Sequence, residues 1–412
     1  MRPDAADAPG AAARPGAREA GGRETEARTL AGAALEAWCR AGGAFGGRSF
    51  LQAPPVRLTH DDALGAGLCA VTPLAAGERV LTEPAAAACT MPSCEAVRCA
   101  GCLRSLAPPP PLPLPKLSEC WPKLHACAIP CKGGCSELFC SPPCERMAAK
   151  HHSVVCPGAN GKEDKLLELC RALPPRLAPV AGAPMLALRL AAHALTLRRQ
   201  GVEDVPFLSA SPIAGLCQHH LPASTLVRTH HAELLRRETL AATRATPAER
   251  EWISTQAYAA LLGRVLANQV QLRPRSTFDL YGAALRASTY DREARSALVD
   301  ALLACGPEGK DGDRREALEA LEEPTRVEGC AVFNLHSKFN HSCAPNCEAQ
   351  SHPFEDACID VVALHDVKVG EALTISYCDP KLGRSHRRRI LRENHGFDCA
   401  CPRCCAEAVG VG

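Results

Sequence analysis

Twenty-five cysteines in 412 residues constrain this chain more than any other feature, because thiols at short fixed spacings must be paired with each other or with metal. Oxidised pairs belong to oxidising compartments and thiolate–metal sites to reducing ones. Spacing separates the two. Between Cys99 and Cys156, the pairs Cys99-x2-Cys102, Cys131-x3-Cys135, Cys140-x3-Cys144 and His152-x3-Cys156 each put two ligands on one tight turn. Four such pairs suit two tetrahedral Zn²⁺ ions. The same segment is too rich in Pro and Gly to hold itself with an ordinary core, so metal has to organise it. A second cluster, Cys399-Ala-Cys401-Pro-Arg-Cys404, offers three thiols and requires a fourth ligand from elsewhere, for which Cys343 is the candidate. The cysteines outside these clusters read as small buried hydrophobes, and His151, one residue off the ligand register, reads as an exposed histidine.

Charge excludes rather than selects. Lysine plus arginine number 47 and aspartate plus glutamate 45, so no global field favours nucleic acid, an anionic membrane or an acidic substrate. No cationic-then-apolar leader opens the sequence, and Arg189 and His193 interrupt the best apolar run. The expectation is an intracellular, reduced protein with no membrane partner. Aromatic residues are only 4% of the chain, which gives Tyr377 and Phe397 more weight than they would otherwise carry.

Composition divides the chain. Residues 1–52 are an Ala/Gly/Arg-rich stretch without apolar period and read as a disordered tail. Residues 53–98 carry short β-type runs punctuated by glycine, among them Gly65-Ala66-Gly67, and read as a small sheet; 99–156 is the cysteine-rich segment, with a stiff Pro-rich loop from Ala107 to Pro115. Leu and Ala recur at helical spacing through 157–265. Within 266–380, after an acidic linker around Gly306 to Glu328, β-like runs return at 330–333, 359–363 and 373–377. A short Arg-rich helix from Ser385 to Glu393 opens the segment 381–405, and 406–412 is a tail. Its arginines, Arg384, Arg387, Arg388, Arg389 and Arg392, read first as a solvated helix face, with a nuclear-import signal or contact to nucleosomal DNA as the alternatives.

The heptapeptide Asn340-His341-Ser342-Cys343-Ala344-Pro345-Asn346, followed by Gly370-Glu371 and Ser376-Tyr377 and then by the Cys399 cluster, resembles the SET-domain lysine methyltransferases. The order of the first cysteine cluster resembles a MYND zinc finger, which narrows the likeness to the SET-and-MYND family. Within that family, Arg389-Ile-Leu-Arg392-Glu-Asn394 before Phe397, and Cys156-Pro157-Gly158, look most like the branch of the fifth human paralogue and its yeast relative. The resemblance runs over about residues 55 to 405. It implies an α+β fold: a SET β-sheet core with an inserted MYND finger, a helical insert and a zinc-bound post-SET segment. It also leads one to expect a chain that stops soon after its last cysteines, without the helical-repeat domain of other family members.

Carried over residue by residue, the resemblance implies three zinc sites. Cys99, Cys102, Cys140 and Cys144 hold one ion; Cys131, Cys135, His152 and Cys156 the second; Cys343, Cys399, Cys401 and Cys404 the third. A long insert after Cys102 and an unusual spacing of the second pair leave Cys127 as an alternative to Cys131. The cofactor implied is S-adenosyl-L-methionine, whose sulfonium, adenine and amino-acid ends call for a close-approach glycine turn, polar amides and an aromatic face. Gly65, Ala66 and Gly67 would take the methionine end, Asn340 and His341 would hydrogen-bond the cofactor through side chain and backbone, Phe397 would cover the adenine, and Asn268 is a further candidate contact. Tyr377 is the expected catalytic residue and also borders the cofactor. His395 stands where many relatives have a tyrosine, a departure that could weaken cofactor binding. The partner expected is a protein substrate, a histone tail first and a ribosomal or other protein second, with a Pro-rich peptide at the finger, no primary nucleic-acid partner, a monomeric state, and residence in nucleus and cytoplasm. The competing readings are a catalytically weak zinc-stapled scaffold and a nucleic-acid-binding zinc protein; low aromatic content and neutral charge count against the latter.

Overall fold

A computed structural model describes residues 54–61, 65–110, 116–159, 165–216, 229–288, 325–351 and 357–409. The tail expected over 1–52 and the greater part of the acidic linker lie outside the described residues. The class is α+β, as expected, but strands of the first sheet expected near the N-terminus part company. Strands β1 (Val56–Asp61) and β2 (Gly65–Ala70) join one sheet, while β3 (Arg79–Pro84) joins another. The reason is that both sheets are completed by strands from near the C-terminus. The first has the order β1-β2-β12-β9, where β12 is Ala372–Ile375 and β9 is Asn340–His341; the second is β10-β11-β3, with β10 Cys347–Ser351 and β11 Cys358–Ala363. A third sheet sets β4 (Ala87–Thr90) beside β8 (Gly329–Val332) and β7 (Gln269–Leu272).

The inner faces of the first two sheets share one apolar core, with Leu68, Leu81, Phe339, Val361, Leu373 and Ile375 buried in it. All ladders are antiparallel except β9 with β12, which run parallel with Asn340 opposite Thr374 and His341 opposite Ile375. That parallel pair carries the polar heptapeptide into the sheet beside β12, which ends two residues before Tyr377.

The finger comprises the two-residue strands β5 (Ile129–Pro130) and β6 (Leu138–Phe139) and helix α1 (Pro142–Val155), which begins on Ser141, whose hydroxyl accepts from the Cys144 amide. Behind it lie α2 (Lys165–Arg171), α3 (Ala183–Arg199), α4 (Thr229–Ala242), α5 (Pro247–Trp252) and α6 (Thr255–Asn268), the helical insert that the Leu/Ala spacing announces. Helix α3 has proline in its first turn and Arg198 and Arg199 in its last, both favourable placements. The stretch Leu177–Arg199 is long and apolar enough to cross a membrane, yet 67% of its best window is buried inside the protein, as suits a central core helix. After β7 follow α7 (Thr277–Ser288), then the C-terminal helices α8 (Arg384–His395) and α9 (Pro402–Val409). Helix α9 thus extends into the tail expected from 406, because Arg403 and Glu407 pair across one turn (2.8 Å) and Glu407 also meets Arg387.

Candidate active site

Glycine begins the site. Gly65 sits at φ +76°, a left-handed conformation that side chains rarely adopt. At Gly67 a Cβ would fall 2.8 Å from Nδ2 of Asn340 and 3.2 Å from Oγ1 of Thr59, so only glycine lets β2 lie this close to the heptapeptide. The turn near residue 65 and the stretch near 340 therefore meet.

Three groups hold that stretch in place. Glu83 on β3 is buried and accepts the backbone N–H groups of Asn334 (2.7 Å), Leu335 (2.9 Å) and His336 (2.7 Å), which shapes the turn leading into Asn340. Burial pushes its carboxyl up to about 7 in spite of those three donors and the charge of Lys338. Asn346 fastens the far end: its Nδ2 donates to the Ala372 carbonyl (2.8 Å) and its Oδ1 accepts from the Thr374 amide (2.8 Å). Asn346 stood in the motif without a role, and Glu83 was missed, although an acid following the apolar pair Val80-Leu81 in a β-type run is a signal in itself.

His341 is the third. Its Nδ1 accepts the Tyr377 backbone N–H (3.0 Å), so the ring proton sits on Nε2, which faces Sγ of Cys343 at 3.2 Å. Burial, then His395 and Arg387, push its pKa down to about 4. With both ring nitrogens engaged inside the protein, His341 has its backbone left for a ligand. Tyr377 donates its hydroxyl to the Phe339 carbonyl (2.6 Å), and its ring lies 5.3 Å from that of His341, 4.8 Å from His395 and 6.4 Å, edge-on, from Phe397. Phe397 is also 6.0 Å from His341. Half-buried Asn340, His341, Tyr377, His395 and Phe397 thus share one hollow. Asn268 stands in a different sheet region, at the end of α6, buried, with its amide donating to the Arg264 carbonyl (2.7 Å).

The thiols assemble in three groups: Cys99, Cys102, Cys140 and Cys144; Cys131, Cys135, His152 and Cys156; Cys343, Cys399, Cys401 and Cys404. In each, all ligand atoms lie within 4.8 Å of one another. Zn–S bonds of about 2.3 Å in a tetrahedron separate sulfurs by about 3.8 Å. The observed separations of 3.6 Å for Cys102–Cys140, 3.6 Å for Cys131–Cys156, and 3.9 and 3.5 Å from Cys343 to Cys399 and Cys404 match that spacing and not a disulfide. His152 turns Nε2 to Cys131 and Cys135 at 3.2 and 3.4 Å. Gly133 lies so close that a Cβ there would be 2.5 Å from Sγ of Cys156. Cys127 is exposed and outside the group, which leaves Cys131 as the ligand. These donor sets fit Zn²⁺, and their closed tetrahedral form suits structural rather than catalytic metal.

Two expectations need correction. The arginines of α8 form a solvated face only in part, Arg389 and Arg392 being exposed. Arg387 is fully buried, donating to Glu407 (2.7 Å), the Leu382 carbonyl (2.5 Å) and Sγ of Cys404. Arg384 donates to the Cys404 carbonyl, and Arg388 and Arg392 both pair with Asp398; Arg389 is exposed. The helix turns inward because the last cysteines need an anchor beside Phe397. His151, expected on the surface, is half-buried and lines a cavity behind the finger. Burial, then Arg189, holds it well below the usual histidine range.

Comparison with known proteins bears on this arrangement. A family model described as SET domain matches residues 65–378. Human protein-lysine N-trimethyltransferase SMYD5 is 30% identical over 295 residues, 66% of this chain and 65% of that protein. Histone-lysine N-methyltransferase SET5 of Meyerozyma guilliermondii is 44% identical over 78 residues, 19% of this chain and 16% of the relative. The chain therefore spans just under two thirds of the human relative's length. Among solved structures, the SET domain of LSMT bound to lysine and AdoHcy superposes with a TM-score of 0.32 at 13% identity, covering 90% of this chain and 58% of that one.

Proposed function

The chain belongs to the SET-domain family, in its SET-and-MYND branch, and from that premise we propose that it is a protein-lysine N-methyltransferase that takes its methyl group from S-adenosyl-L-methionine. The observation that carries this reading is the hollow around Tyr377, where the rings of His341 and Phe397 gather, with Asn340, the residue before His341, against Gly67 and Cys343 tied to the terminal thiols. Family membership and the names borne by the relatives support it. When bound, the donor supplies an electrophilic methyl on a cationic sulfur. The backbone at Gly65 to Gly67 would take its amino-acid end, the Asn340 amide and His341 backbone its polar groups, and Phe397 its ring face.

The remaining task falls to Tyr377. Lysine in water has a pKa of about 10.4, so the amine must lose its proton, and a site poor in water beside a positive charge favours the neutral form. The Tyr377 hydroxyl donates to the Phe339 carbonyl, and in this reading its oxygen would accept from the amine and hold it in line. That is orientation and electrostatics rather than strong-base catalysis. Zinc has no part in the bond change; its sites hold the fold.

The substrate we favour is a histone tail, with a ribosomal or other protein as the second reading; the finger would recruit a Pro-rich peptide, and the enzyme would work as a monomer in nucleus and cytoplasm. The test is incubation of the full, zinc-loaded chain with labelled methyl donor and cellular protein. Label should appear on lysine of a histone or another protein, and metal analysis should return three zinc ions. A folded, metal-replete chain that shows no saturable uptake of S-adenosylmethionine by calorimetry would overturn the reading in favour of the scaffold.

A further inference from the structure

The cavity that His151 lines has a volume of about 270 Å³ and lies between the finger, helix α3 and the start of β4. Its walls follow from helical spacing. Met147, Lys150 and His151 fall at i, i+3 and i+4 on α1, and Arg189 and His193 at i and i+4 on α3, so each helix turns one face to the same space. Arg104 closes a third side, and Ser141, Pro143 and Cys144 bring the first turn of α1 to the rim. Arg189 and His193 are the very residues that break the apolar run of α3. In a helix whose other positions are largely buried Ala and Leu, this polar pair is spent on the cavity.

Three basic side chains and two imidazoles thus line one space beside the positive end of a helix, and among the described residues no carboxylate lines it. The nearby Glu137 is committed to a two-pronged pair with Arg98 (2.9 and 3.2 Å). Cys102, Cys140 and Cys144 also reach the wall, and four thiolates on Zn²⁺ carry a formal charge of −2. Arg104, Lys150 and Arg189 outweigh that even when metal is bound.

We propose that this cavity is a binding site for a small oxyanion, a free phosphate- or carboxylate-bearing molecule. The guanidinium groups and the lysine would supply charge-assisted hydrogen bonds, the imidazoles further N–H donors, and Met147, Ala85, Ala86 and Ala148 an apolar wall for the carbon skeleton of the ligand. The volume lies at the low end of small-molecule pockets, which points to a metabolite-sized anion rather than a polymer segment. None of the residues that line it is one assigned to the methyl donor or to the amine, so the proposal is independent of the catalytic reading.

The test is calorimetric titration of the full, zinc-loaded chain with inorganic phosphate and with glutarate, without methyl donor, against sodium chloride at matched ionic strength. Saturable binding of at least one anion is expected. Lys150→Gln and His193→Gln should each weaken it about tenfold, the loss of one hydrogen bond to a charged group, with zinc content and melting temperature unchanged. Arg189→Gln is the poorer variant, since that guanidinium also donates to the Ala88 and Ala100 carbonyls. Absence of saturable binding by either anion, or equal affinity in the wild type and both variants, overturns the proposal.

Discussion

In the finger, the chain between one zinc ligand and the next is the finger itself: β5, β6 and the start of α1. Between Cys343 and Cys399, 56 residues apart, run β10, β11 and β12 of the SET core, Tyr377 and the whole of α8. Both regions build four-ligand sites of the same size, yet the loops they close differ in kind. A metal whose ligands enclose only their own module stabilises that module. A metal whose ligands enclose β12 and Tyr377 couples the last cysteines to the heptapeptide, and His341 lies on that route, between Cys343 and the Tyr377 amide.

The strongest way to break this comparison is to remove one ligand from each region. Cys343→Ser should cut methyl transfer by about 10²-fold or more through misplacement of the hollow, with loss of cofactor binding in calorimetry. Cys135→Ser, in the finger, should leave cofactor affinity within a factor of about 2, as expected of distant independent sites. Equal losses in the two variants would mean that both metals serve the whole fold.

Tyr377→Phe separates the chemistry of the hollow from its assembly. Turnover should fall by about 10²-fold while cofactor affinity and zinc content stay near those of the wild type; a variant that turns over normally removes Tyr377 from its role.

Glu83→Gln sharpens the contrast at a site without metal. The amide cannot reproduce three accepted N–H bonds, and its NH₂ would face a backbone donor, so a stability loss of about 1–3 kcal/mol is expected, read by denaturant unfolding near neutral pH. The pH dependence has a definite sign. The folded-state pKa of Glu83 is raised, from 4.5 to about 7, so its protonated form is favoured in the fold. Its contribution is fully present below about 4.5 and is lost as pH rises through about 7. Thiolate–zinc sites respond in the opposite direction, so the measurement is the difference between wild type and Glu83→Gln across that window; a flat difference contradicts the assignment. The smallest effect belongs to Cys127→Ser. Zinc content and melting temperature should both stay unchanged, and a lost zinc ion would return Cys127 to the ligand set.

Much of this architecture was legible in the chain because it rests on neighbours. Ligand pairs three and four residues apart, the Leu/Ala period of α3 and the heptapeptide at residues 340–346 announce themselves in any window that contains them. The partnership of Cys343 with the terminal triplet also came early, since three thiols leave a tetrahedral ion one ligand short. The arginine helix was legible only in part for the complementary reason: Arg389 and Arg392 are exposed as a solvated face requires, but Arg387 looks solvated until Glu407 and the Cys404 sulfur are brought against it.

By itself the sequence determined which atoms could bind metal and which stretches could be helix or strand, because spacing and periodicity are properties of adjacent residues. Tertiary structure alone decided that β3 leaves β2 for another sheet, that Glu83 caps the turn before Asn340, that Arg387 is buried, and that His151 faces a cavity with Arg189 and His193. Each of these depends on a partner brought in from far along the chain, and the energy of a buried charge or an accepted hydrogen bond exists only once that partner has arrived.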